Sequence, residues 1–126
     1  MKNIRKKIIF VDDNKASLSM GRTMLKNIYE VYPAPSAVKL FEILEYVDAD
    51  LILLDILMPD MDGWETFGRI KAISLLHEVP IIFLSSIVDE SDIDRAIKMG
   101  ASGFITKPYS AEDLLAEVNK VLNGQK

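Results

Sequence analysis

Three short apolar runs punctuate the chain: Ile8-Ile9-Phe10-Val11, Leu51-Ile52-Leu53-Leu54 and Ile81-Ile82-Phe83-Leu84. Each is continuous rather than alternating and too short for a helix, the pattern of a strand buried on both faces of a parallel sheet. Between and after them, apolar residues recur at helical spacing. These stripes are Leu18, Gly21, Leu25 and Ile28; Ala37, Leu40, Phe41 and Leu44; Trp64, Phe67 and Ile70; Ile93, Ala96 and Ile97; and Leu114, Leu115, Val118, Val121 and Leu122. Two weaker strands complete the pattern. Tyr29 to Tyr32 alternates in polarity and runs into Pro33 and Pro35, which suits a sheet edge, while Ser102 to Thr106 follows a helix ended by Gly100. Five strands alternating with five helices predict an α/β fold, a doubly wound parallel sheet with right-handed crossovers and helices on both faces.

Composition narrows the class of function. A chain of 126 residues predicts one domain, residues 1–126, with output left to another protein. Lys and Arg number 15 against 19 Asp and Glu, a net charge of −4 that is the wrong sign for gripping nucleic acid or an anionic membrane. The basic start, Lys2, Arg5, Lys6 and Lys7, reads as solvation ahead of the first strand, because the apolar run after it ends at Asp12-Asp13, too soon for a signal peptide. The absence of cysteine excludes disulfides, thiolate metal sites and cysteine nucleophiles, and a cytoplasmic protein is expected.

In a parallel sheet the strand C-termini share one edge, which is where open α/β folds bind ligands. Here the runs end in Asp12-Asp13, in Asp55, in Ser85-Ser86 and in Thr106-Lys107-Pro108. Three clustered carboxylates repel one another unless a cation compensates them, and oxygen-only donors favour Mg²⁺. Lysine adds a point charge suited to phosphate oxygens. Together these groups suit phosphoryl transfer, with Asp55 as the nucleophile. Each residue also has a plain structural use. Asp12 or Asp13 could cap the first helix, Asp55 could start a turn before Pro59, Ser85 could cap the helix after it, and Lys107 could be a solvated charge. Their joint placement on one edge favours the chemical reading.

These residues resemble the receiver domain of two-component response regulators. The resemblance spans nearly the whole chain. It rests on Asp12-Asp13, on Asp55-Ile56-Leu57-Met58-Pro59-Asp60-Met61-Asp62-Gly63, on Ser85, and on Gly100-Ala101-Ser102-Gly103-Phe104-Ile105-Thr106-Lys107-Pro108. It implies a flavodoxin-like sheet of order 2-1-3-4-5, the order known for the chemotaxis members. It also implies roles: Asp55 accepts phosphate from a histidine kinase or phosphotransfer protein; Asp13 ligates Mg²⁺ directly, Asp12 mainly through bound water, and the Leu57 backbone carbonyl completes the protein ligands. Lys107 would contact the phosphate, Pro108 would follow a cis peptide, and Ser85 and Phe104 would be the switch pair. A surface of the fourth helix, fifth strand and fifth helix, including Ile97, Phe104 and Tyr109, would then change for a downstream protein effector, with dimerisation on phosphorylation left open.

Leu57 and Ile87 are apolar where family members often carry polar residues, so a slowly hydrolysed phosphoryl group is expected. Pro35-Ser36-Ala37 lacks a glycine frequent before the second helix. His77, the sole histidine, reads as surface, and Trp64 as packing. Two other functions compete: a phosphorylation-independent interaction module of the same fold, which has no need to keep the full acidic set and lysine, and an aspartyl-nucleophile phosphohydrolase, which would place a second Asp where Leu57 stands. Neither a phosphate-binding Gly-Lys-Ser/Thr loop nor a dinucleotide turn is present.

Overall fold

The computed structural model describes residues 5–86 and 89–124. Lys2 and Ile87, whose expected roles are given above, lie outside them. Five parallel strands, β1 (Lys7–Val11), β2 (Glu30–Ala34), β3 (Leu51–Asp55), β4 (Ile81–Ser85) and β5 (Gly103–Thr106), form one sheet in the order 2-1-3-4-5. The crossovers carry α1 (Lys15–Leu25), α2 (Ala37–Leu44), α3 (Gly63–Ala72) and α4 (Glu90–Met99), and α5 (Ala111–Gly124) closes the fold. A 3₁₀ turn, Ser74–Leu76, follows α3. Among the described residues no helix is long and apolar enough to cross a membrane.

The continuous apolar runs are explained by the two faces they serve. Ile9, Val11, Ile52, Leu54, Ile81 and Phe83 pack against Leu40 and Ile43 of α2, Phe67 and Ile70 of α3 and Ala96 of α4. Alternate residues, Ile8, Phe10, Leu51, Leu53, Ile82 and Leu84, meet Leu18 and Leu25 of α1 and Leu114, Val118, Val121 and Leu122 of α5. Both faces of every central strand are therefore dry, as a doubly wound sheet requires.

Each helix start is set by a polar side chain that accepts a backbone N–H: Asn14 from Ser17, Ser36 from Lys39, Asp62 from Glu65, Asp89 from Asp92 and Ser110 from Asp113. Because Asn14 and Asp89 are the caps, Asp12, Asp13 and Ser85 are not used that way. Gly100 ends α4 at φ 97°, a left-handed conformation that side chains resist.

Some expected stripe positions differ. Ile28 is exposed, because α1 stops at Leu25 and the turn after it breaks the helical period, leaving Tyr29 to be buried instead. Ile97 is 66% exposed, since α4 turns only Ala96 fully inward. The second strand begins one residue later than expected and continues through Pro33 to Ala34; as an edge strand it tolerates the missing N–H.

Candidate functional site

The sheet changes direction of growth between β1 and β3, and this is where an open α/β sheet leaves a crevice at its C-terminal edge. Register then decides which residues meet there. Val11 pairs with Leu54, so Asp12 emerges beside Asp55; Asp55 pairs with Leu84, and Ser85 with Thr106, so Ser85 and Lys107 follow one step farther along. Backbone bonds lock this edge: Asp12 N donates to Ala34 O at 3.0 Å, Ile56 N to Leu84 O at 3.1 Å and Lys107 N to Ser85 O at 2.8 Å. The Lys107–Pro108 peptide is cis.

Side chains from three strand ends converge. Lys107 Nζ donates to Asp12 Oδ2 at 2.7 Å and to Asp55 Oδ2 at 3.3 Å. Asp12 is fully buried and Asp55 is 5% exposed, so both carboxylates have left bulk water. Asp12 also accepts Asn14 N at 3.0 Å through its other oxygen. Asp13 is exposed at the rim, and one carboxylate oxygen from each of Asp12, Asp13 and Asp55 lies within 4.8 Å of the others. Ser85 is buried at the end of β4. Leu57, on the loop after β3, has a half-exposed side chain.

Burial shapes the electrostatics. Desolvation, reinforced by the neighbouring Asp12, pushes the Asp55 carboxyl up from 3.8 to about 6 despite the attraction of Lys107. Burial alone would lower the Lys107 ammonium, but its hydrogen bond to Asp12 and the charges of both aspartates outweigh that and hold it above its usual range. Tyr109, next to Pro108, has its phenol raised, mainly by burial. One lysine thus serves two buried carboxylates with a third nearby, a set that is short of positive charge. All donors are hard oxygens, and the site is open at Asp13. This fits a hard divalent cation, and Mg²⁺ suits it.

The β3–α3 loop is fastened beneath Asp55. Gly63 N donates to Ile56 O at 2.7 Å, and a Cβ on Gly63 would lie 2.6 Å from the Asp55 carbonyl oxygen and 2.7 Å from Ile56 Cα. Only glycine allows that approach without displacing backbone.

A family model for the response regulator receiver domain matches residues 8–119. The chain belongs to the response regulator receiver family. This receiver is 32% identical over 120 residues to the chemotaxis protein CheY of Halobacterium salinarum, covering 94% of this chain and 98% of that protein. It is 30% identical over 121 residues to the transcriptional regulatory protein CrdR of Helicobacter pylori, covering 95% of this chain and 56% of that protein. Among solved structures, the chemotaxis protein CheY4 of Vibrio cholerae superposes with a TM-score of 0.89 at 27% identity, over 94% of this chain and all of that one. This receiver spans about half the length of several other curated relatives, such as the nisin biosynthesis regulatory protein of Lactococcus lactis, where it covers 48%.

The geometry brings Asp12, Asp13, Asp55 and Lys107 of the expected residues into one cluster, with Ser85 at the end of the next strand. Phe104 is half-buried on β5, its ring 6.5 Å from that of Phe83. His77 is exposed in the connection before β4, away from the acidic residues. Sequence reasoning missed two features. The Lys71 ammonium donates to the carbonyls of His77 at 2.9 Å and Val79 at 2.6 Å, holding that connection, and burial lowers its pKa. The Arg95 guanidinium lies over the Trp64 ring. No linear motif signals either contact; both need two elements to be placed first.

Proposed function

We propose that this receiver is a phosphoacceptor that takes a phosphoryl group from a histidine kinase or phosphotransfer protein onto Asp55 and signals by changing a protein-binding surface. The observation that carries the reading is the sharing of Lys107 by Asp12 and Asp55, with Asp13 alongside, at the switch point of the sheet. In the transfer, an Asp55 carboxylate oxygen forms the new P–O bond while the P–N bond to the donor imidazole breaks. Asp12, Asp13, Asp55 and the Leu57 carbonyl would hold Mg²⁺, which when bound neutralises charge on the transferring oxygens. Lys107, kept protonated by its carboxylate neighbours, contacts the phosphoryl oxygens as a point charge. Ser85 donates its hydroxyl to the modified aspartate, and Phe104 follows it.

The output surface comprises α4, β5 and α5. Ile97 stands exposed there and Phe104 and Tyr109 are half-buried, so the surface has apolar groups able to be shown or withdrawn. Residues 1–126 act as one receiver unit in the cytoplasm, as a signalling switch whose downstream partner is another protein. Incubation with Mg²⁺ and a small phosphodonor should add one phosphoryl mass, and Asp55→Ala should abolish it. No mass gain in the wild type would overturn the reading and favour a phosphorylation-independent module.

A further inference from the structure

Four aromatic rings form a connected group beside the site. The Trp64 ring lies 4.9 Å from Phe83 at 55°, Phe67 stacks on Phe83 at 5.3 Å, and Phe104 follows at 6.5 Å. At the outer end, Arg95 of α4 places its guanidinium carbon 4.2 Å from the centre of the Trp64 ring. The inner connections lead to the candidate phosphoacceptor. Trp64 directly follows Gly63, which is pinned against the backbone of Asp55 and Ile56. Phe83 lies two residues before Ser85 on β4, and Phe104 lies three before Lys107 on β5.

Helix α4 is thinly held. Ala96 is its one fully buried residue, whereas α3 buries Gly63, Thr66, Phe67 and Ile70, and α5 buries four apolar side chains. An element with so narrow a buried seam is drawn from the low-stability end of a fold and moves readily. Besides the packing of Ala96 in the core, the contact of Arg95 with the ring of Trp64 ties this helix to α3.

We propose that the stacking of Arg95 on Trp64 is a latch that holds α4 in its unphosphorylated position, making Arg95 a positioning residue for the switch. The inference rests on the phosphoacceptor reading of Asp55. Trp64 stays with the β3–α3 loop, while α4 follows Ser85 along the chain, so a change at the end of β4 moves Arg95 relative to the ring. A partly exposed cation–π contact biases a two-state equilibrium by about two- to fivefold. Because coupling is reciprocal, loss of the latch must strengthen binding of a phosphoryl mimic by the same factor.

The experiment uses the full chain with Mg²⁺ and beryllofluoride as the mimic, and reads the emission of Trp64, the single tryptophan. In the wild type, beryllofluoride should change the emission. Arg95→Met, which keeps the apolar stem but removes the cation, should shift the emission of the free protein toward the beryllofluoride-bound value and tighten beryllofluoride binding about two- to fivefold. Arg95→Lys should restore most of the wild-type behaviour. With Trp64→Leu, followed by the emission-independent heat of binding, Arg95→Met should have no further effect. Equal beryllofluoride affinity for wild type and Arg95→Met, with normal phosphoryl uptake from a small donor in both, would overturn the latch alone. Absence of uptake in the wild type would overturn the latch together with the phosphoacceptor reading.

Discussion

Replacing the Asp55 carboxyl with its amide, Asp55→Asn, removes a charge from a place where the metal-free fold bears it at a cost. The carboxyl is raised from 3.8 to about 6, by burial first and by Asp12 second. Each tenfold change in the ionisation constant is worth about 1.4 kcal/mol, so ionised Asp55 weakens the metal-free fold by about 3 kcal/mol relative to its neutral form. At 5% exposure, solvent screening takes little from that figure. The amide also gives up the 3.3 Å contact with Lys107, but this attraction is already contained in the net value of about 6. The sign follows from the raised value: the neutral carboxyl's contribution to stability is fully present below pH 3.8, declines as pH rises through about 6, and is absent above. In chelator, Asp55→Asn should therefore match the wild type near pH 3.8 and exceed it by about 3 kcal/mol above pH 7. Urea unfolding across this range, with and without Mg²⁺, measures the difference. Saturating Mg²⁺ should narrow it, because a cation held by the intact carboxylates stabilises the native state by mass action. A difference that does not vary with pH, or a wild type more stable than the variant at pH 8 in chelator, would refute the electrostatic argument.

Three further outcomes follow from the same geometry. Lys107→Met leaves Asp12 and Asp55 buried together without their shared cation, so the metal-free protein should lose about 2–4 kcal/mol at neutral pH in urea unfolding, with partial recovery on adding Mg²⁺. Gly63→Ala forces a Cβ onto the Asp55 and Ile56 backbone and should cost about 1–3 kcal/mol while slowing phosphoryl uptake, measured by mass gain against time. Leu57→Asn with Ile87→Glu, each two positions along the chain from Asp55 or Ser85, should shorten the phosphoryl lifetime several-fold by replacing apolar side chains with polar ones; loss of the added mass after donor removal is the readout, and an unchanged or longer lifetime refutes the shielding role.

Much of this fold and site is legible along the chain because the residues that matter follow strand ends. Ile8–Val11, Leu51–Leu54 and Ile81–Leu84 announce two-faced burial, and the polar residue after each run must then lie on one edge. The helix boundaries are less legible. Ile28 continues the apolar spacing of α1 on paper, yet Leu25 ends the helix. Asp12, Asp13 and Asn14 are all competent caps, and the choice of Asn14 frees the two aspartates for the cluster.

Local pattern determined the alternation of strands and helices and singled out the candidate site residues, because periodicity and chain direction act within each segment. It could not determine that Lys107 would bridge Asp12 and Asp55, that Gly63 would touch the Asp55 backbone, or that Arg95 would cover Trp64. Those contacts join residues of separate elements. Strand register, fixed by hydrogen bonds across the sheet, and helix placement, fixed by the two apolar layers, decide them only when the whole chain has packed.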